Sequence, residues 1–113
     1  MSNASTRQAI ATALSTVSGV TGYVQRPAAM KPGDGWPQWG GSERDAGQGF
    51  LETWRVLIVL PVDEVSADAF ADSHQDALVA ALRPVLFIDS FAPANFAADG
   101  GDVYALLITG RSE

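Results

Sequence analysis

His74 is the single histidine of the chain, and histidine is the side chain best suited to exchange protons near neutral pH. It lies four residues after Phe70 and four before Leu78, so on a helix it sits on or beside an apolar face. No serine stands in a Gly-x-Ser-x-Gly arrangement and there is no cysteine, so no nucleophile of either type accompanies it. The sequence therefore predicts a partly buried structural histidine and no enzymatic activity.

Three aspartates, Asp68, Asp72 and Asp76, recur every four residues, which places their carboxylates on one face of a helix. Hard cations usually bind carboxylates that a loop folds around the ion, so neither a metal site nor any cofactor is predicted. The simpler interpretation is a solvated acidic stripe. The alternative is a stripe that faces a basic partner or an arginine of a neighbouring copy.

A glycine- and proline-rich segment, residues 28–49, is predicted to be a long loop that contains one short extended piece at residues 36–39. Its Gly33-Asp34-Gly35 stretch lacks the third glycine of a dinucleotide fingerprint and is followed by Pro37, so nucleotide binding is not predicted. Trp36 and Trp39 are costly to leave in water and should dock on the core or on a partner. Aromatic and arginine side chains dominate protein interfaces. The predicted protein interface comprises Trp36, Trp39, Arg44 and Phe50.

Composition indicates one globular domain over residues 1–113, because the chain is too short for two cores and 47% of it is hydrophobic. No apolar run approaches the length of a membrane span and no secretory signal is recognised, so we expect no membrane association. The lack of cysteine fits assembly in a reducing cytoplasm. The net charge is −6, with eight acids against Arg83 alone between residues 60 and 103, which disfavours tight nucleic-acid binding.

Hydrophobic periodicity and turn residues predict six elements. They are helix 5–18, strand 20–24, strand 50–60, helix 66–82 with Ser66 as N-cap, strand 85–88 (extending toward residue 91) and strand 103–109. Strand 50–60 is apolar on both faces toward its end, which is typical of a central strand. The order α-β-(long loop)-β-α-β-β predicts an α+β fold with two helices packed on one face of a small, mainly antiparallel sheet.

Four stretches of the sequence carry a family likeness: Val17–Gly22, Lys31–Pro37, Thr53–Val56 and Asp99–Leu106. In this order and spacing the chain resembles the tail terminator proteins of long-tailed, siphovirus-type phages of actinobacteria. The resemblance implies a homohexameric ring that caps the head-proximal end of the tail tube, stops tube polymerisation and offers a surface for head joining. It implies no catalysis.

The resemblance also implies the partners and the location. The partners would be further copies of the chain, the tail tube protein, a head-completion or stopper protein and the tape measure protein. Double-stranded DNA would pass through the ring without specific binding, and the protein would reside in the virion tail after assembly in the host cytoplasm. The acids that face the lumen or a partner would be Asp68, Asp72 and Asp76 or those of the Asp99–Asp102 turn.

Two alternatives stay open at this point. Another head–tail connector, such as a stopper or a tail-completion protein, shares the size and surroundings of a terminator. A small α+β ligand-binding or enzymatic dimer with an open sheet face is the second alternative, although it needs polar groups that converge on a pocket. The size of the oligomer separates the second alternative from a ring.

Overall fold

The computed structural model describes residues 3–44, 50–98 and 101–112, without the side chains of residues 43, 44 and 98. In these ranges the chain forms α1 (Asn3–Ser15), β1 (Thr21–Gly22), β2 (Asp34–Arg44), β3 (Phe50–Val59), α2 (Glu64–Leu82), β4 (Phe87–Ala98) and β5 (Gly101–Ser112). One sheet joins the five strands in the order β1-β2-β3-β5-β4, and only the β1–β2 pair is parallel. The predicted α+β class is confirmed.

β3 lies in the middle of the sheet, as its two-sided apolar pattern predicts. It pairs with β2 on one side and with β5 on the other. Val56 and Ile58 are buried in one core cluster, whereas Leu57 and Val59 are buried in a second cluster. Because alternate residues of a strand point to opposite faces, both faces of β3 are covered.

The prediction of a long loop is wrong for residues 34–44, because the short extended piece expected at residues 36–39 is part of the longer strand β2, Asp34–Arg44, which pairs along β3. Glycine has a low intrinsic preference for strands, which hides this strand in the sequence. Its small size nevertheless suits the packing here, since a Cβ on Gly35 would lie 3.1 Å from Leu14 Cδ1. The ladder with the apolar β3 stabilises a strand that composition alone does not predict.

β4 and β5 form a hairpin that is longer than the strands predicted from residues 85–88 and 103–109. Their register runs from Phe87 opposite Arg111 to Ala98 opposite Gly101, with a bulge at Asp89. Pro93 lies inside β4, and a proline inside a run argues against a strand at the sequence level. The pairing with the apolar β5 overrides that local preference.

Both helices share a core with the same residues of the sheet. This larger cluster joins three groups of buried side chains: Ile10, Ala13 and Leu14 of α1; Ala67, Leu78 and Leu82 of α2; and Trp54, Val56, Ile58, Leu106 and Ile108 of the strands. The strand members alternate along β3 and β5 and therefore lie on one face of the sheet. Ala77 of α2 is exposed, whereas Leu78 and Leu82 point into the core.

The helix ends differ from their predicted positions for local reasons. α1 ends at Ser15, and two further turn hydrogen bonds, Thr16 N to Ala13 O and Val17 N to Leu14 O, continue the coil until Val17 is buried. α2 is capped by Asp63, whose carboxylate accepts the Ser66 N–H at 2.9 Å, so Ser66 is not the N-cap. This backbone hydrogen bond lowers the pKa of Asp63.

The opposite face of the sheet carries a second, smaller core. Trp36, Leu57, Val59 and Ala105 are buried there, beneath the partly buried Tyr23 and Met30. The indole of Trp36 in β2 meets the ring of Phe96 in β4 edge-on, with centroids 5.7 Å apart. β3 and β5 lie between those strands, so this contact requires a strongly curled sheet.

Both long edges of the sheet are interrupted by a proline. In β2 the carbonyl group of Gly35 accepts a hydrogen bond from Tyr23 N, and Pro37 O accepts one from Arg7 Nη1, so these two positions face away from β3. Pro37 therefore removes an N–H from the outer side of β2. In β4 the ladder partner of Pro93 is Leu106, which lies two residues after Tyr104, whose carbonyl faces β3 and accepts from Leu60 N. Pro93 therefore faces away from β5, and its missing N–H is on the outer side of β4.

Candidate interaction surfaces

His74 ties the end of the α1 region to α2. Its Nε2 lies 3.1 Å from Ser18 O, and its Nδ1 lies 2.9 Å from Ser73 Oγ and 2.8 Å from Phe70 O. The ring also stacks on Phe70, with centroids 3.9 Å apart. Both backbone oxygens can only accept, and a neutral imidazole carries one N–H, so one tautomer donates from Nε2 to Ser18 O and the other donates from Nδ1 to Phe70 O. The prediction of a partly buried histidine with structural contacts is confirmed.

The three aspartates of α2, Asp68, Asp72 and Asp76, are all exposed on the helix. None of them forms an ion pair with a described residue. Among the described residues, no three histidine, aspartate or glutamate side chains converge in a way that would hold a metal ion. The stripe is thus a solvated face in the isolated chain, and its role toward a partner stays a prediction.

The two tryptophans of the predicted interface have opposite surroundings. Trp36 is buried in the smaller core, so it can support an interface only indirectly. Trp39 lies opposite Trp54 in the β2–β3 ladder and is 44% exposed. Its Nε1 donates to Glu52 Oε2 at 2.7 Å, and the Ser42 hydroxyl donates to the same oxygen. These two donors, Ser42 first, lower the pKa of Glu52 from its ordinary value of 4.5.

Phe50 and Phe87 expose further aromatic surface, at 56% and 69% of their areas. Beside Phe87, Arg111 forms a bidentate ion pair with Asp89: its Nε donates to Oδ2 and its Nη2 donates to Oδ1, both at 3.0 Å. The guanidinium carbon also lies 5.2 Å from the centre of the Phe87 ring. Arg44 pairs with Phe50 through the backbone, while its side chain lies outside the description.

These aromatic residues lie at one end of the sheet. The ladder places Trp39 opposite Trp54, Trp54 opposite Gly110, and Gly110 opposite Ile88, next to Phe87. We call Trp39, Phe50 and Phe87, with the neighbouring Arg83 and Arg111, the aromatic end. A groove of about 830 Å³ opens there between the last part of α2 and β4. Its lining includes Val79, Arg83, Val85, Phe87, Phe91 and Arg111.

The other end of the sheet is acidic. Val62 is 97% exposed and Val65 is 77% exposed at the start of α2. Four exposed carboxylates surround this region: Asp63, Glu64, Asp68 and Asp102. Val62 and Asp102 line one hollow of about 220 Å³, which places the β4–β5 turn beside the start of α2. We call these six residues the acidic end. Asp99 lies outside the described residues.

Phe87, Val62 and Val65 were not among the candidate residues that the sequence suggests. For Phe87 a signal exists, because the buried Leu86 precedes it and alternation places the next side chain on the opposite face. Val62 directly precedes the Asp63 cap, a position that commonly packs on the fourth helical residue, here Ala67, in a hydrophobic staple, and Val65 lies in the first turn of α2. Their exposure became evident only from the fold.

Comparisons with known proteins do not name a family for this chain. No protein-family model matches it, and a search of curated proteins finds no significant match. In the part of the chain that the structure describes, neither helix is long and apolar enough to cross a bilayer.

Proposed function

We propose that this chain is a phage tail terminator, a ring subunit that caps the head-proximal end of the tail tube, stops its growth and offers the head-joining surface. Such a subunit must contact its ring neighbours and the tube through surfaces that are exposed in the free chain. The observation that carries the proposal is the aromatic end, where Trp39, Phe50 and Phe87 are all substantially exposed. Large exposed aromatic side chains commonly mark protein interfaces.

The resemblance of four sequence stretches to tail terminators supports the same function, and two of them meet in the fold. Residues 31–37 form the turn and the start of β2, and Thr53–Val56 lies beside them in β3. The turn is held by Asp34, which is buried and accepts hydrogen bonds from the backbone N and the Nζ of Lys31 at 3.1 Å. The stretches that carry the likeness therefore build the base of the hairpin whose far part bears Trp39 and Phe50.

The charge of the chain fits a ring through which DNA passes. The stripe Asp68, Asp72 and Asp76 is exposed and forms no ion pair with a described residue. Carboxylates repel the phosphate backbone at separations below the screening length, about 8 Å at physiological salt. On a lumen wall such a stripe would keep the duplex from adhering, and on a ring contact it would meet an arginine instead.

Disruption of this gene in the phage, followed by negative-stain electron microscopy of the lysate, tests the proposal. We expect overlong or irregular tubes that are detached from filled heads, because nothing would stop polymerisation. Wild-type protein supplied in trans should restore particles. Headless tails of normal length would favour a stopper instead, and normal infectious particles would overturn both functions.

The same complementation assay tests the aromatic end. Trp39→Ala should fail to restore capped tails while the purified variant keeps its circular dichroism spectrum, since the indole is on the surface. Val24→Ala is the matched control, because Val24 is 40% exposed and lies outside both ends of the sheet. If Trp39→Ala caps tubes as well as the control does, Trp39 has no part in the interface.

A further inference from the structure

We propose that copies of this chain associate head to tail, with the acidic end of one copy seated in the groove at the aromatic end of the next. The inference rests on the proposed ring and names the two surfaces that would form it. The two ends are separated along the sheet: the row Glu52–Ser112 and the row Val59–Ala105 lie seven residues apart, about 23 Å. A single copy therefore cannot satisfy one end with the other.

Exposed apolar side chains make the first part of the argument. At the acidic end Val62 and Val65 present two neighbouring aliphatic side chains to solvent. At the aromatic end Phe87 borders a groove that is partly apolar and is open along β4. Burial of both aliphatic side chains would remove apolar surface from water and so favour association. Projecting side chains at one end thus match a recess at the other.

Charge makes the second part of the argument. The acidic end carries four carboxylates, and the nearby Lys31 is already paired with the buried Asp34. The groove is lined by Arg83, Asp89 and Arg111, of which Arg111 and Asp89 pair with each other. Arg83 is exposed and has no ion-pair partner among the described residues, so the groove lining carries one net positive charge. Opposite potentials on two surfaces steer their encounter and fix their register. The acidic end of a second copy is the occupant that this complementarity selects.

The helix dipole of α2 explains the positions of some of these charged residues, but it does not explain the exposed apolar side chains. Asp63 and Glu64 at the start of α2 and Arg83 at its end are each favoured by the helix dipole. The dipole gives no reason to expose Val62, Val65 or Phe87, and exposure of apolar side chains at two separate places is explained if another copy covers them. Pro37 and Pro93 leave interruptions in the two long sheet edges, so pairing of strands between copies is disfavoured.

A head-to-tail contact uses two different surfaces, and it closes into a ring when the rotation between copies divides a full turn. This property distinguishes it from a symmetric contact. A variant with a defective acidic end still has an intact aromatic end, and the converse holds for a variant with a defective aromatic end. A mixture of the two variants can therefore form dimers but no longer chains. A symmetric contact would not behave in this way.

Cysteine cross-linking tests the contact directly, because the chain contains no cysteine. The double variant V62C/F87C, treated with a short bis-maleimide at high protein concentration, should give a ladder of dimers and larger species. Neither single variant should cross-link alone, and a mixture of the two should stop at the dimer. The pair V24C/F87C is the matched control and should stay monomeric. The ladder should weaken several-fold in about 1 M salt, where screening acts within about 3 Å.

Two results would overturn the proposal. Absence of a ladder from V62C/F87C would show that the two ends do not meet. A dimer from either single variant alone would show a symmetric contact. The assay is independent of tail morphology: a ladder without a tail defect would retain the contact and remove the terminator function. A tail defect without a ladder would do the reverse.

Discussion

One face of the sheet is covered by α1 and α2 over fifteen buried residues of the larger cluster, whereas the opposite face buries four in the smaller cluster. On the second face no helix contributes to the cluster, and the side chains of Tyr23 and Met30 pack against it instead. The first face is therefore the main source of folding stability. The second is closed by a short segment that depends on one aromatic pair, Trp36 and Phe96.

Trp54→Ala should produce the largest effect, because it removes the biggest side chain of the helix-covered face. Trp54 is fully buried, and its Nε1 donates to Ser112 Oγ at 3.0 Å. We expect the free energy of unfolding to fall by about 4 kcal/mol. Urea denaturation followed by far-ultraviolet circular dichroism measures this, with Trp54→Phe as the control that keeps most of the volume. A loss below about 1 kcal/mol would contradict the ranking of the two faces.

Trp36→Ala should cost about 3 kcal/mol, less than the change at Trp54, because fewer buried residues surround it. It should also loosen the segment that covers this face. Hydrogen exchange should accelerate at the amides of Tyr23 and Met30, while the amides of α1 and α2 keep their relative protection. Uniform acceleration over both faces would show that the smaller core does not open separately from the larger one.

The sequence predicts the helix-covered face well and the opposite face poorly. Strand 50–60 is predictable from the alternation of its apolar residues, and helix 66–82 from their helical periodicity. In both segments the pattern within the segment itself identifies the buried face. β2 and the second half of β4 contain Gly40, Gly41 and Pro93, residue types with a low preference for strands. They are strands because each pairs in a hairpin with the apolar strand that follows it, and that pairing is not visible in the composition of either segment.

The interaction surfaces show the same division. Trp39 and Phe50 could be proposed from residue type alone, since exposed aromatic residues mark interfaces. Trp36 could not be separated from Trp39 without the register, which places it on the opposite face from Trp39 in the buried cluster. The exposure of Val62 depends on the course of the connection between β3 and α2, which the residue types in that connection do not predict.

His74→Ala should lower the free energy of unfolding by about 1 kcal/mol, since it removes the hydrogen bond to Ser18 O and the stack on Phe70. The effect belongs to the helix-covered face, because it concerns the tie between the two helical regions. Gln75→Ala is the control: it truncates the exposed side chain next to His74 on α2. Equal losses for the two variants would mean that the imidazole does not tie Ser18 to α2.

The smallest effect concerns Glu52 and leaves both cores intact. Its pKa is lowered in the folded chain by the hydroxyl of Ser42 and the indole of Trp39. The stabilisation is therefore present above the unfolded pKa and is lost as the pH falls through the lower, folded value. Tryptophan fluorescence should change over that acidic range as the indole loses its acceptor. Glu52→Gln should remove the transition, and persistence of the transition would assign it to another carboxyl group.

The prolines of the two sheet edges also affect how the isolated chain behaves at high concentration. A sheet with long uninterrupted edges can template fibrils when a protein accumulates, because each added strand offers a new edge. Pro37 and Pro93 lie within the two outer long strands, β2 and β4, and remove hydrogen-bond donors there. We therefore expect the isolated chain to resist strand-by-strand association at high concentration.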